Sequence, residues 1–189
     1  MGPVRVVFLE APEQLLAERR RLGLDSRDEM WEGELHMVPP PDFNHQRRVS
    51  RLLRALGPVA DQGGLEVVPE AGLYEADDSW RVPDLVVVRP EHVTRRGVEG
   101  GAVLAVEIRS PDDETLAKMP FYARFGVEEL LVVDRDTAGV ELFRLDAEGL
   151  RNVAPDQQGW VTCSLDVGFR QGGANVVEVR LPDWRIEHC

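Results

Sequence analysis

Short runs of aliphatic residues, separated by Gly- and Pro-containing breaks, set the rhythm of the middle of the chain. Residues 85–88 (LVVV) and 102–108 (AVLAVEI) lack the apolar/polar alternation of a half-exposed strand, so they read as strands buried on both faces. Residues 129–134 (ELLVVD) form a third such run. Ser110-Pro111 ends the second run, because Ser caps helices and Pro is tolerated at a first helical position. A helix is therefore predicted over much of 112–125, stopped by Gly126. Upstream, Pro12 opens a short charged helix to residue 22, and residues 30–38 (MWEGELHMV) carry a broken alternation that predicts a strand pair around Glu32-Gly33. After Pro39-Pro40-Pro41, Asp42 is placed to cap a helix running to about residue 56, with Val49, Leu52, Leu53 and Leu56 on one face. A short strand at 65–68 follows, and residues 140–145 lead into further short antiparallel pieces. Strand, strand, helix and strand in that order indicate an α/β fold around a mixed sheet rather than a sandwich.

The 189 residues are enough for one domain with a full core, and neither repeats nor low-complexity segments interrupt them. No apolar run approaches the roughly 20 residues needed to cross a bilayer. The first residues, MGPVRVVFLEAPEQ, hold too short an apolar patch for a secretory signal and lack the Ser/Thr of a myristoylation motif, so a cytoplasmic protein with no membrane partner is expected. Cys163 and Cys189 form no C-x-x-C pair and give no support for a structural zinc site. They read as one small buried or edge thiol and one frayed terminal thiol.

Charge changes the picture more. The net charge of −12 argues against a protein that grips nucleic acid through a broad basic surface. Any such contact has to be local, through patches such as Arg47-Arg48 with Arg51 and Arg54. Acidic character is compatible with metal-assisted chemistry, since the ligands of a hard cation are themselves carboxylates.

Two carboxylates stand out against their apolar surroundings. Glu107 interrupts the run Val103-Leu104-Ala105-Val106-Glu107-Ile108, where an unpaired charge costs several kcal/mol. A basic partner, a solvated strand end or a metal ion would each offset that cost. Asp84 opens the run at Leu85, directly after Pro83, a place where a turn or cap residue is also common. Two such groups at the ends of neighbouring strands suit Mg²⁺ or Mn²⁺, which accept one or two carboxylates and complete their shell with water and phosphate.

The ordered elements Val82-Pro83-Asp84-Leu85-Val86-Val87-Val88, Val106-Glu107-Ile108-Arg109-Ser110-Pro111, Lys118 with Tyr122, Gly126-Val127 and Leu131-Val132-Val133-Asp134 resemble the Uma-type putative restriction endonucleases of the PD-(D/E)XK nuclease superfamily. The resemblance extends upstream to Gly33-Glu34 and His45 and covers residues 30–135 well. It implies a restriction-endonuclease-like α/β domain spanning 1–189: a mixed central sheet flanked by helices, its core over about 30–135, with extra antiparallel strands in 136–189. It implies Asp84, Glu107 and the backbone carbonyl of Ile108 as ligands of Mg²⁺ or Mn²⁺, DNA as the substrate and a homodimer or higher homo-oligomer as the assembly. It also implies a lysine that positions the attacking water. The slot two residues after Glu107, on the same strand face, holds Arg109, which can stabilise negative charge but cannot act as a base. Lys118, the only lysine of the chain, fits the alternative place on the following helix, although Pro120 is awkward in a helix interior. His45 matches a family histidine able to touch substrate or a ligand-bound water. Glu34 reads as solvated; Tyr122 and the tryptophans Trp31, Trp80, Trp160 and Trp184 read as packing. A nuclease-like domain without catalysis, acting as a binding or oligomeric scaffold, is the alternative reading. Strong acidity and the absence of a Glu-x-Lys pair favour it.

Overall fold

The computed structural model describes residues 6–9, 11–111, 114–173 and 175–189. In chain order its elements are β1 (Val6–Phe8), α1 (Glu13–Leu22), β2 (Glu29–Trp31), β3 (Glu34–Met37), α2 (Phe43–Gln62), β4 (Glu66–Pro69), β5 (Leu73–Ala76), β6 (Ser79–Arg81), β7 (Leu85–Val88), β8 (Ala102–Arg109), α3 (Met119–Phe125), β9 (Val127–Asp134), β10 (Val140–Asp146), β11 (Gly149–Asn152), β12 (Val161–Thr162), β13 (Gly168–Gln171), β14 (Val177–Arg180) and β15 (Ile186–His188).

A six-stranded sheet of order β11-β10-β9-β8-β7-β4 forms the centre. Strands β8 and β9 run parallel, joined by the crossover that contains α3, and the other pairs are antiparallel, so the sheet is mixed as expected. Alternation along β7 explains why it needs no polar positions. Leu85 and Val87 enter a core shared with α2 and the sheet β12–β15, whereas Val86 and Val88 enter a second core with Phe121, Tyr122 and Phe125 of α3. A five-stranded sheet of order β1-β3-β2-β6-β5 forms the other flank. The hairpin β2–β3 turns at Glu32 and Gly33, both in the left-handed region with φ of 48° and 94°, which is why Gly stands there.

Three expectations need correction. Helix α2 does not stop near residue 56 but continues through Pro58 to Gln62. An interior proline costs about 3 kcal/mol. Burial of Ala60 and the packing of Val59 on the same core offset part of that cost. The single helix expected over 112–125 is replaced by a 3₁₀ segment at Thr115–Lys118 followed by α3, and Ser110-Pro111 begins no helix; Asp112 and Asp113 lie outside the described residues. Pro120 thus falls at the second position of α3, where a missing N–H is harmless. Cys189 is not frayed. It is buried, and its backbone exchanges two hydrogen bonds with Val177. No helix among the described residues is long and apolar enough to cross a membrane.

Candidate active site

The site forms where β7 begins and β8 ends. These strands are antiparallel with Leu85 opposite Val106, so the register carried one step further sets Asp84 against Glu107. Asp84 is buried at the bend before β7. Its Oδ2 accepts a hydrogen bond from the Ile108 backbone N–H at 2.7 Å, pinning it to β8. His45 Nε2 lies 3.2 Å from the same oxygen, and Arg27 Nη2 donates to Oδ1 at 3.3 Å. His45 reaches this place because Asp42 caps α2, accepting from the His45 N–H at 2.9 Å.

Glu107 projects from β8 onto the side of the sheet covered by α3. Its Oε1 accepts from Lys118 Nζ at 3.0 Å and from the Tyr122 hydroxyl. Lys118 closes the 3₁₀ segment at the start of α3, and Tyr122 lies one turn further on the same helix face. Lys118 Nζ also lies 2.8 Å from Oε1 of Glu29, a buried carboxylate on β2. Glu29 is itself fixed by the Val82 N–H at 3.0 Å and by Trp31 Nε1 at 2.9 Å. The hairpin β2–β3 and helix α3 therefore meet at one ammonium group.

Electrostatics follow from this crowding. Burial pushes the Glu107 carboxyl up to about 8; the Lys118 charge pulls against that shift, and the negative charges of Asp84 and Glu29 add to it. Burial, followed by the Glu107 charge, drives the Tyr122 hydroxyl well above its ordinary range. Tyr122 thus stays a hydrogen-bond donor at neutral pH. Tyr122→Phe is expected to cost about 1–3 kcal/mol of stability, because the buried Glu107 carboxyl oxygen loses one of its donors. Urea unfolding checks this, and an unchanged midpoint would show that Glu107 does not depend on the hydroxyl.

A family model described as "Uma2: Putative restriction endonuclease" matches residues 12–173. The chain belongs to the Uma2 family. Its fold is similar to that in a structure described as "Crystal structure of a putative nuclease belonging to DUF820 from Anabaena variabilis ATCC 29413", with a TM-score of 0.60 and 19% identity over 74% of this chain and 83% of that one. No curated protein sequence matches the chain. Family and fold support a nuclease with a restriction-endonuclease-like core, and families of this kind generally use a divalent metal.

Of the residues singled out in sequence, the Uma2 fold brings together Asp84, Glu107, Lys118 and His45. Arg109 is not drawn to them: its guanidinium lies 3.4 Å from Asp134 and 3.5 Å from Glu141. Glu34 is exposed, as read from sequence, whereas Tyr122 is more than packing. Arg48 is lost to a basic patch, because it is buried and donates to the backbone carbonyls of Arg135 and Asn175 at 3.1 and 3.3 Å. Trp184 is exposed rather than packed. Glu29 and Arg27 escaped notice in sequence. Glu29 opens a strand of only three residues, so pattern alone could not separate it from the charged residues around it.

Among the described residues no group of three or more His, Cys, Asp or Glu side chains is arranged to hold a metal. The donor chemistry of the pair nevertheless fits a hard divalent cation. Asp84 and Glu107 offer oxygen ligands only, and both are buried side by side at one end of adjacent strands.

Proposed function

We propose that the chain is a Mg²⁺-dependent nuclease that hydrolyses phosphodiester bonds, with DNA as its substrate. The observation that carries this reading is the meeting of Asp84 and Glu107 at the ends of adjacent strands with the Lys118 ammonium on Glu107. Asp84, Glu107 and the Ile108 carbonyl would hold the ion, and Mn²⁺ would serve in its place. When bound, such an ion polarises the phosphate and lowers the pKa of water. The protein's own groups do the rest. Tyr122 and Lys118 orient Glu107, while His45 and the Ile108 N–H orient Asp84. Lys118 sets a positive charge beside the place where the attacking water stands. That water's oxygen would form a bond to phosphorus as the bond to the leaving oxygen breaks, its proton passing to solvent and the leaving oxygen taking one from solvent. With a net charge of −12, DNA contacts are confined to local positions such as Arg47, Arg51 and Arg54.

The catalytically silent scaffold has one observation in its favour. Both carboxylates are already engaged by protein donors. Titration calorimetry separates the readings. Wild-type protein is expected to give a binding isotherm with Mg²⁺ or Mn²⁺ that Asp84→Ala loses. An identical isotherm for the variant, or none for wild type, ends the metal reading. Binding without cleavage of any DNA or RNA leaves the scaffold.

A further inference from the structure

Strand β15 forms one edge of the sheet β12-β13-β14-β15, and the bonding phase of that edge can be read from its neighbour. Val177 and Cys189 exchange both backbone hydrogen bonds, at 2.9 and 2.8 Å, and Leu181 N donates to Arg185 O at 2.8 Å. Bonded and non-bonded pairs alternate along an antiparallel ladder. Glu187 and Cys189 therefore turn their N–H and C=O groups toward β14, as Arg185 does its C=O while its N–H donates to Asp183 Oδ1 at 3.1 Å, whereas Ile186 and His188 turn theirs outward. The side chains of Trp184, in the turn before β15, and of Ile186 are 76% and 48% exposed. Trp184 also holds a backbone conformation at odds with its bulk. Its φ is 67°, in the left-handed region, at a turn closed by its own N–H to Leu181 O at 2.9 Å. Gly would take that place without strain, and the Arg180 guanidinium lies over the indole at 5.2 Å.

We propose that β15 is a self-association edge, on which a second copy of the chain pairs antiparallel about a two-fold axis at Ile186. The phase permits this register, because Ile186 presents an outward N–H and C=O that can exchange bonds with the same groups of its copy. Charge then selects it. Centred on Ile186, each Arg185 stands opposite the partner's Glu187 in a non-bonded pair, the arrangement in which side chains come closest. Centring on Glu187 instead sets two like carboxylates against each other. In the selected register the exposed faces of Ile186 and Trp184 from both copies form one continuous apolar strip, with Trp184 opposite the partner's His188. Arg185 already lies 2.6 Å from Asp183, but both groups are solvent-exposed, so that ion pair does not withhold it. The inference is independent of the metal site.

Sedimentation velocity on the full chain, from about 1 to 200 μM, is the test. Wild type is expected to show a concentration-dependent dimer that weakens with salt. Arg185→Glu and Glu187→Arg are each expected to weaken it by about tenfold or more, since like charges then face each other. The double exchange is expected to restore it. Trp184→Gly is expected to weaken the dimer while leaving the unfolding midpoint equal or higher, because the turn loses its strain. A purely structural Trp184 would lower the midpoint instead. A wild-type protein monomeric at the highest concentration, or a dimer unmoved by the single charge changes, overturns the proposal. So does a folded double exchange that stays monomeric.

Discussion

Replacing Lys118 by Met is expected to lower the unfolding free energy by about 3–5 kcal/mol at pH 8, the cost of leaving one side of a buried ion pair alone. Met nearly fills the volume of Lys, so the loss is one of charge rather than packing. Both Glu107 Oε1 and Glu29 Oε1 lie within 3.0 Å of the ammonium, and all three side chains are shielded from solvent. The loss should shrink at pH 6, where Glu107 holds a proton even beside its cation and depends less on the ammonium. Urea unfolding of wild type and variant at both pH values reads this directly. Equal losses at the two pH values would refute the charge explanation. On the nuclease reading, turnover should also fall by about 10²–10³, typical for a group that stabilises charge in a transition state.

The second large effect belongs to Glu107. Its carboxyl is raised from 4.5 to about 8 in the folded protein, so between those values the folded state holds a proton that the unfolded chain has released. The corresponding stability is fully present below the unfolded pKa and is lost as pH rises through the folded one. This single group should contribute a decline of about 1.4 kcal/mol for each pH unit inside that window. Glu107→Gln removes the titration, and the difference between the wild-type and variant stability curves isolates it from every other group. Parallel curves from pH 5 to 8 would sink the assignment. On the metal reading, Mg²⁺ should flatten the wild-type slope, because a cation competes with the proton for the same oxygens.

The contrast between what the chain betrayed and what it concealed has a physical cause. Leu85–Val88 and the strand around Glu107 are continuous apolar runs, and a run buried on both faces carries no competing signal. Asp84 and Glu107 were legible because they break those runs. The register that sets them opposite each other depends on β7 pairing antiparallel with β8, which no local pattern encodes. Lys118 was singled out by resemblance, the structure sets its ammonium on Glu107, and its awkward Pro120 became reasonable once the helix proved to start at Met119. Glu29 and Arg27 were hidden because their roles exist only after the β2–β3 hairpin and the segment before it fold against Lys118 and Asp84. The hairpin β5–β6 went unread for the same reason as Glu29: its strands are short, and Asp77-Asp78 between them reads as any polar loop.

The parallel ladder of β8 and β9 pairs residues 102–109 with residues 127–134 in the middle of the central sheet. Amides in such a position exchange with solvent only when the whole domain opens, whereas short surface turns exchange through local fluctuations that cost far less. Glu107 sits on the first kind of backbone, and Lys118 closes a four-residue 3₁₀ segment of the second kind, where the neighbouring Leu116 is exposed. The two halves of one ion pair therefore live on different clocks. Hydrogen exchange at the Lys118 amide is expected to outpace that at the Glu107 amide.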